Sequence, residues 1–297
     1  RFFDRDGLYG HGDDALRYAF FSYAVLQCVQ ELIGPPDIVH AHDWMTALVP
    51  IYLRLHFAQR LAGTRSVFTI HNLAYQGVFP KALLEPLGLD WSLFRFDNLE
   101  FFDQLNLMKG AITACDAVTT VSPSYAREIL TGPFGQHLDA HLRAHGGKLQ
   151  GIVNGLDLQS WDPASDPALP ARYDVADRSG KAACRDELLR RFGLVADDEP
   201  VVAVVSRFTE QKGLDLVCQV ASELAGARLA VLGTGDRWLE QRFEDLAAEF
   251  PGRIGVQIAF DDSLARLLIA GSDLLLMPSR FEPCGLTQLQ AMRYGTI

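Results

Sequence analysis

The stretch VVAVVSRFTEQKGLD, residues 201–215, decides the fold. Five consecutive apolar residues, Val201–Val205, read as a short strand buried on both faces, because a half-exposed strand would alternate polar and apolar positions. A polar turn carrying Arg207 and Lys212 follows, and a helical pattern opens at Lys212. A strand that ends in a polar turn and feeds a helix is the unit of a parallel α/β sheet, and such sheets hold ligands at the carboxyl ends of their strands. The arrangement recurs where Leu274–Met277 runs into SRFEPCGLTQ (279–288), whose helix opens with Cys284, Gly285, Leu286 and Thr287. A helix N-terminus with Gly in its first turn offers backbone N–H groups to an anion. Cations and helix dipole together point to a diphosphate site, with Glu282 placed to take an uncharged polar group beside it.

The pattern extends along the whole chain. Asp37–Ala41, Ser66–Ile70, Ala117–Val121 and Leu149–Val153 read as strands, followed by Pro200–Val205, Arg228–Leu232, Ile254–Ile258 and Asp273–Met277. Helical patterns lie between them, at Asp13–Leu32, Thr46–Leu61, Leu107–Ala114, Gly180–Phe192, Lys212–Leu224, Arg237–Glu249 and Ser263–Ile269. Alternation of this kind predicts βαβ units and mostly parallel sheets covered on both faces. At 297 residues the chain exceeds the usual size of one domain. Pro, Asp, Ser and charged residues accumulate between Asn154 and Asp198, which places the crossing near Asp157–Pro170 and divides the chain into domains 1–157 and 158–297.

Net charge is −10, from 27 Lys and Arg against 37 Asp and Glu, which argues against nucleic acid or an anionic membrane surface as partner. An anionic small substrate needs only a local positive pocket and stays open. No apolar run reaches the ~20 residues of a membrane helix. The five cysteines are scattered with no C-x-x-C pair, as in a cytoplasmic protein with reduced thiols. The sequence opens at Arg1 without Met and stops inside Tyr294-Gly-Thr-Ile297, which reads as the start of a further strand. It therefore reads as an internal piece of a longer protein, and by itself it is expected to be poorly soluble and inactive.

Several constellations carry chemistry. His40-Ala-His42-Asp43-Trp44 ends the first strand. A zinc reading needs further ligands at helical or strand-end spacing, and Trp44 stands where one would be wanted. The alternative has one His satisfying backbone groups and Asp43 capping a helix that begins near Trp44. His71 and Asn72 end the second strand in a polar, Gly-closed turn on the same sheet edge as Asp43. Lys212 at a helix start opposes the helix dipole unless an anion lies nearby. Gly233-Thr-Gly-Asp236 after the next strand is a weaker nucleotide signal, since a G-x-G alone is often just a tight turn with an Asp cap. Cys284 has no His beside it in sequence, so a small side chain packed by a ligand is preferred to a nucleophile. Glu282, at a buried strand end, needs a partner.

HAHDW (40–44), TIHNLAYQG (69–77), VSPSYARE (121–128), VNGLD (153–157), the Ser206-Arg207 and QKGLD (211–215) pair, and SRFEPCGLTQ (279–288) occur in that order. Together they resemble the bacterial glycogen synthases and plant starch synthases, over about Tyr9 to Ile297. The resemblance implies a GT-B architecture, two Rossmann-like domains facing across a cleft, with acceptor on the N-terminal side and donor on the C-terminal side. It also implies metal-free, cofactor-free transfer of glucose from ADP-glucose to the 4-OH of an α-1,4-glucan such as glycogen, with retention. Carried over by position, Arg207 and Lys212 hold the donor diphosphate and Glu282 orients the glucose hydroxyls. Cys284 and the amides of Gly285, Leu286 and Thr287 line the same pocket. His71 contacts the transferred glucose beside Asn72, Asp43 shapes that wall, and Tyr9 lies near the donor. A second Glu eight residues after Glu282, common in wider retaining GT-B enzymes, is here Gln290. The family's N-terminal Lys-x-Gly-Gly loop and C-terminal Thr-Gly-Gly turn are absent from these 297 residues. Rival readings are a glucosyltransferase using UDP-glucose or another acceptor, a non-catalytic glucan- or nucleotide-binding homologue, and a metallohydrolase at His40–Asp43.

Overall fold

Four short strands of the first half pair in parallel, β1 (Ile38–His42), β2 (Arg65–Ile70), β6 (Ala117–Thr120) and β7 (Leu149–Gly151), in the order β1-β2-β6-β7. A small antiparallel sheet, β3 (Val78–Pro80), β5 (Gln104–Asn106) and β4 (Glu100–Phe101), is inserted between β2 and β6. Helices α1 (Asp14–Cys28), α2 (Leu48–Leu55), α3 (Leu107–Ala114), α4 (Pro123–Glu128) and α5 (Asp139–Ala144) complete this half. The computed structural model describes residues 3–5, 7–224 and 226–297, and the chain divides into the units Arg1–Asn154 and Gly155–Ile297.

Helix starts in the first unit are set locally. The Asn106 side chain accepts from the Lys109 N–H to begin α3, and Ser122 accepts from Tyr125 N–H with Pro123 in the first turn to begin α4. Tyr125 is buried, and its hydroxyl accepts the Leu73 N–H at 3.0 Å, which anchors the turn that follows β2. Gly77 closes that turn at φ +65°. A Cβ there would stand 2.8 Å from the Trp44 ring, so only Gly admits both the backbone angle and the packing.

In the second unit β8 (Val201–Val205), β9 (Arg228–Gly233), β10 (Ile254–Ile258) and β11 (Leu274–Leu275) form a parallel sheet in the order β10-β9-β8-β11. Its helices are α6 (Ser179–Phe192), α7 (Leu214–Val220), α8 (Arg237–Glu249), α9 (Asp262–Gly271) and α10 (Leu286–Arg293). Val201 and Ala203 face Leu188, Phe192 and Leu268 on one side. Val202 and Val204 face Val217, Leu239 and Phe243 on the other. A strand covered on both faces has no polar side to show, which is why Val201–Val205 is uniformly apolar.

The segment after Asn154 is tied to this second unit by a buried charge. The Asp166 side chain is 1% exposed; it accepts from Arg266 at 3.1 Å and from the Tyr294 hydroxyl, while the Arg266 guanidinium lies 3.9 Å over the Trp161 ring. Asp166→Ala takes the buried carboxylate from the Tyr294 hydroxyl and leaves the mostly buried Arg266 guanidinium with the more exposed Asp262 and the Ser160 carbonyl. Breaking a buried pair typically costs about 3–5 kcal/mol. We expect a drop in the unfolding midpoint, read by calorimetry; an unmoved midpoint would show that Asp262, Trp161 and the Ser160 carbonyl suffice to hold Arg266.

The β/α alternation is as expected, with differences that have local causes. Asp13–Leu32 is α1 followed by a π turn, Val29–Ile33. Thr46–Leu61 is helical only over α2, because the chain turns after Leu55 to bury Phe57 and Leu61. Lys212–Leu224 is broken at Gly213, whose φ of +63° no helix accommodates; a 3-10 turn, Glu210–Lys212, precedes it and α7 follows. Asp273–Met277 shrinks to β11, although the Leu276 N–H still reaches Ala203. Ile297 accepts from Leu275 N–H and donates to Asp273 on the other side of β11.

Candidate functional site

The strand order locates a crevice in the second unit. From β8 the chain steps to β9 and β10 on one side, then crosses to β11 on the other. The helices that follow β8 and β11 therefore pack on opposite faces of the sheet, and ligands of open α/β sheets bind outside the carboxyl ends of the strands at such a switch point. A cavity of about 220 Å³ lies there, walled by Ser206, Arg207, Lys212, Pro278, Ser279 and Thr287 among others.

At its wall Lys212 Nζ lies 2.6 Å from Oε2 of Glu282, which borders the cavity without lining it, with side chains 18% and 26% exposed, and the Ser279 hydroxyl donates to the same carboxylate oxygen at 3.1 Å. Glu282 thus has the partner its position demands. The conflict between Lys212 and the helix dipole is met differently from expectation: the adjacent negative charge is the protein's own Glu282. Arg207 is exposed, and among the described residues its guanidinium makes no hydrogen bond or ion pair, leaving its donors for a ligand. Thr287 lines the cavity from the first turn of α10. Cys284, Gly285 and Leu286 belong to the same turn without lining it; Gly285 takes φ +77° and Leu286 is exposed.

A second cavity of about 200 Å³ shares Val205, Ser206, Arg207 and Thr287 with the first and continues along the ends of β9 and β10 to Thr234, Phe260, Asp261 and Asp262. Phe260 is 93% exposed. Sequence reasoning did not single out Phe260 or Asp261; the signal was an aromatic and acidic pair directly after an apolar strand. Nor does Asp236 cap α8 as expected. The Glu240 carboxylate instead ties down the turn before the helix, accepting from Gly235 N–H and the Thr234 hydroxyl.

In the first unit the ends of β1 and β2 bring Asp43, His71, Asn72 and Tyr9 into one neighbourhood. Asp43 caps nothing, contrary to expectation; the Thr46 hydroxyl instead accepts from the His42 N–H at 2.6 Å. The Asp43 carboxylate crosses to β2 and accepts the His71 N–H at 2.8 Å and that of Asn72. Burial pushes its pKa up against the pull of those donors. Asp43 also sits at φ 57°, ψ 178°, a strained conformation rare outside Gly. His71 Nε2 meets His42 Nδ1 at 3.1 Å, and His40 stacks on His42 while its Nε2 meets the Thr69 hydroxyl rather than a backbone group. Burial lowers the pKa of His40 and His42. Asn72 Oδ1 accepts from Ala74 N–H, and Tyr9 packs edge-on against Trp44 with Tyr75 nearby. Among the described residues no three His, Cys, Asp or Glu side chains are grouped to hold a metal ion, and no helix is long and apolar enough to cross a membrane.

Residues 1–144 match the model of the starch synthase catalytic domain, and residues 186–297 that of glycosyl transferases group 1. The whole chain aligns at 52% identity with a glycogen synthase of Anaeromyxobacter sp. (strain Fw109-5), and at 48% with that of Geobacillus stearothermophilus. The chain belongs to the glycogen and starch synthase family. It spans 64% and 62% of the length of those two synthases. The solved catalytic domain of starch synthase IV from Arabidopsis thaliana, bound to ADP and acarbose, superposes over all of this chain and 62% of its own with a TM-score of 0.93 at 38% identity. A sucrose-phosphate synthase from Thermosynechococcus elongatus shares the fold at 20% identity and a TM-score of 0.61. The units are thus the Rossmann-like pair of a GT-B glycosyltransferase, as the resemblance of the sequence implies.

Proposed function

We propose that the protein carrying this chain transfers glucose from ADP-glucose to the non-reducing 4-OH of an α-1,4-glucan in the cytoplasm, with retention and without a metal. The observation that carries it is the cavity at the switch point of the second unit, where Arg207, Lys212 and the first turn of α10 converge beside Glu282. The leaving group is an anion, and positioned cations and amides lower the barrier to its departure. Arg207 and Lys212 hold the diphosphate and stabilise charge on departing ADP, and Glu282 takes glucose hydroxyls. Cys284 and the amides of Gly285, Leu286 and Thr287 border sugar and phosphate. A departing phosphate oxygen accepts the proton of the glucan hydroxyl, so no strong base is required. In the first unit, the turn held by Asp43 presents His71 and Asn72 to sugar, with Tyr9 packed nearby against Trp44. ADP is favoured because the starch synthase IV domain was solved with ADP. The deciding assay is glucose transfer to glycogen by the full-length protein with ADP-glucose and UDP-glucose compared. Faster turnover with UDP-glucose overturns the donor assignment, and no transfer from either overturns the enzyme.

The adjoining cavity accounts for the rest of the nucleotide. Phe260 offers an open aromatic face at the end of β10, and stacking of a base on such a face is worth about 1–3 kcal/mol. Phe260→Ala should therefore raise KM for ADP-glucose about fivefold or more while KM for glycogen stays put. Equal KM for ADP-glucose in the variant would place the base elsewhere.

A further inference from the structure

We propose that Arg280 is a positioning residue of this site: its guanidinium locks the turn after β11 onto the turn after β8, and that lock sets the contact between Lys212 and Glu282. The proposal rests on the function given above for the cavity. Lys212 and Glu282 are 70 residues apart in sequence and sit on different turns, so their 2.6 Å separation must be fixed by something that joins the turns.

Arg280 is the chief contributor to that joint among the described residues. Its Nη1 donates to the Glu210 carbonyl at 2.8 Å and to Asp215 Oδ1 at 2.7 Å, its Nη2 donates to Asp215 Oδ2 at 2.7 Å, and its own N–H donates to the Gln211 carbonyl at 2.9 Å. Four bonds from one residue thus span residues 210–215, the segment that carries Lys212. Gln211 returns a weaker bond from its side-chain amide to the Phe281 carbonyl at 3.3 Å. Gly213 makes the approach possible, since a Cβ at that position would collide with the Pro278 carbonyl oxygen. The far partner is equally fixed: Asp215 lies in the first turn of α7, where a carboxylate is favoured by the helix dipole.

The pair is partly exposed, 39% on Arg280 and 23% on Asp215, and exposed ion pairs add little to global stability. The same pair fixes the relative place of a cation and a carboxylate in a site where a shift of about 1 Å costs about a hundredfold in rate. A lock of this kind is felt in turnover far more than in folding. Lys keeps the charge at position 280 and loses the planar fork, so it replaces Arg only in part.

The test uses the full-length protein and the variants Arg280→Gln, Arg280→Lys, Asp215→Asn and the double variant Arg280→Gln/Asp215→Asn. Expected are a fall in kcat of about tenfold to a hundredfold for Arg280→Gln and Asp215→Asn, a smaller fall for Arg280→Lys, and little change in KM for glycogen. The double variant should lose no more than the worse single one, because both remove the same joint. Amide hydrogen exchange should quicken at residues 208–215 and 278–284 only, with the thermal midpoint nearly unmoved. Wild-type turnover with unaltered exchange, additive losses in the double variant, or a general loss of protection across the second unit would each overturn the proposal. If the unaltered protein transfers no glucose, the functional reading fails, while the exchange measurement still decides whether Arg280 joins the turns.

Discussion

Arg207→Ala and Lys212→Ala should each lower kcat of the full-length protein by about 10²–10³, the usual cost of removing one preorganised group that stabilises developing charge, about 3–4 kcal/mol. The two variants should differ in stability. The Arg207 side chain is exposed and bonds to nothing among the described residues, so its loss leaves the unfolding midpoint where it was. Lys212 is paired at 2.6 Å with a half-buried carboxylate, and its loss leaves Glu282 with only the Ser279 hydroxyl. The midpoint of Lys212→Ala should therefore fall, and a further Glu282→Gln change should recover part of the fall without recovering turnover. Calorimetry and steady-state kinetics on the same preparations read both effects. Near-normal turnover in Arg207→Ala and Lys212→Ala together would remove the diphosphate from this cavity.

Those two cations were visible in sequence because the physics that places them is local. A buried strand covered on both faces must be an unbroken apolar run, and whatever follows it is at a carboxyl end; Val201–Val205 followed by Arg207 and Lys212 needs no tertiary information. Arg237–Glu249 and Leu107–Ala114 were legible over their full length for the same reason, as helices with clear ends. What sequence could not show is what depends on partners far along the chain. β3, β4 and β5 are two or three residues each, too short for any alternation to register. The break at Gly213 is invisible in a helical pattern that resumes at Leu214, and the close approach of the Pro278 carbonyl, which leaves no room for a Cβ there, comes from 65 residues further along the chain. Asp43 looked like a cap because Asp before a helix commonly is one; its carboxylate went instead to amides 28 and 29 residues further on. Tertiary demand prevailed over local preference there, at a strained backbone angle, which is where local rules are expected to fail.

Asp43→Ala should cost both stability and turnover, and for one reason. In the intact unit the carboxylate satisfies the N–H groups of His71 and Asn72 and so fixes the turn that carries both side chains. Removing it leaves two donors at the end of β2 unpaired, at about 1–3 kcal/mol for each that stays buried. The Ala also inherits φ 57°, ψ 178°, now held without the carboxylate by the backbone bonds to the Thr69 carbonyl and from the Thr46 N–H. His71 then shifts, and a displacement of about 1 Å is enough for about a hundredfold in kcat. Asp43→Asn separates geometry from charge, because Oδ1 still accepts one of the two bonds; its kcat should fall less than that of Asp43→Ala. It also alters the pH dependence of folding in a defined direction. Burial raises the Asp43 pKa in the folded state above the ordinary carboxylate value of 3.8. The folded form therefore binds the proton more tightly than the unfolded one, and this group's contribution is fully present below that value and lost as pH rises through the folded pKa. Replacing it with Asn removes that decline, so the stability of the variant should change less than that of the parent as pH rises from 3.8 toward neutrality. Unfolding curves taken across that range, beside kinetics for the Ala and Asn variants, give the answer. Equal kcat in Asp43→Ala and the parent would mean that the turn is held by Tyr125 and Gly77 without Asp43, and that the strained residue serves neither His71 nor the reaction.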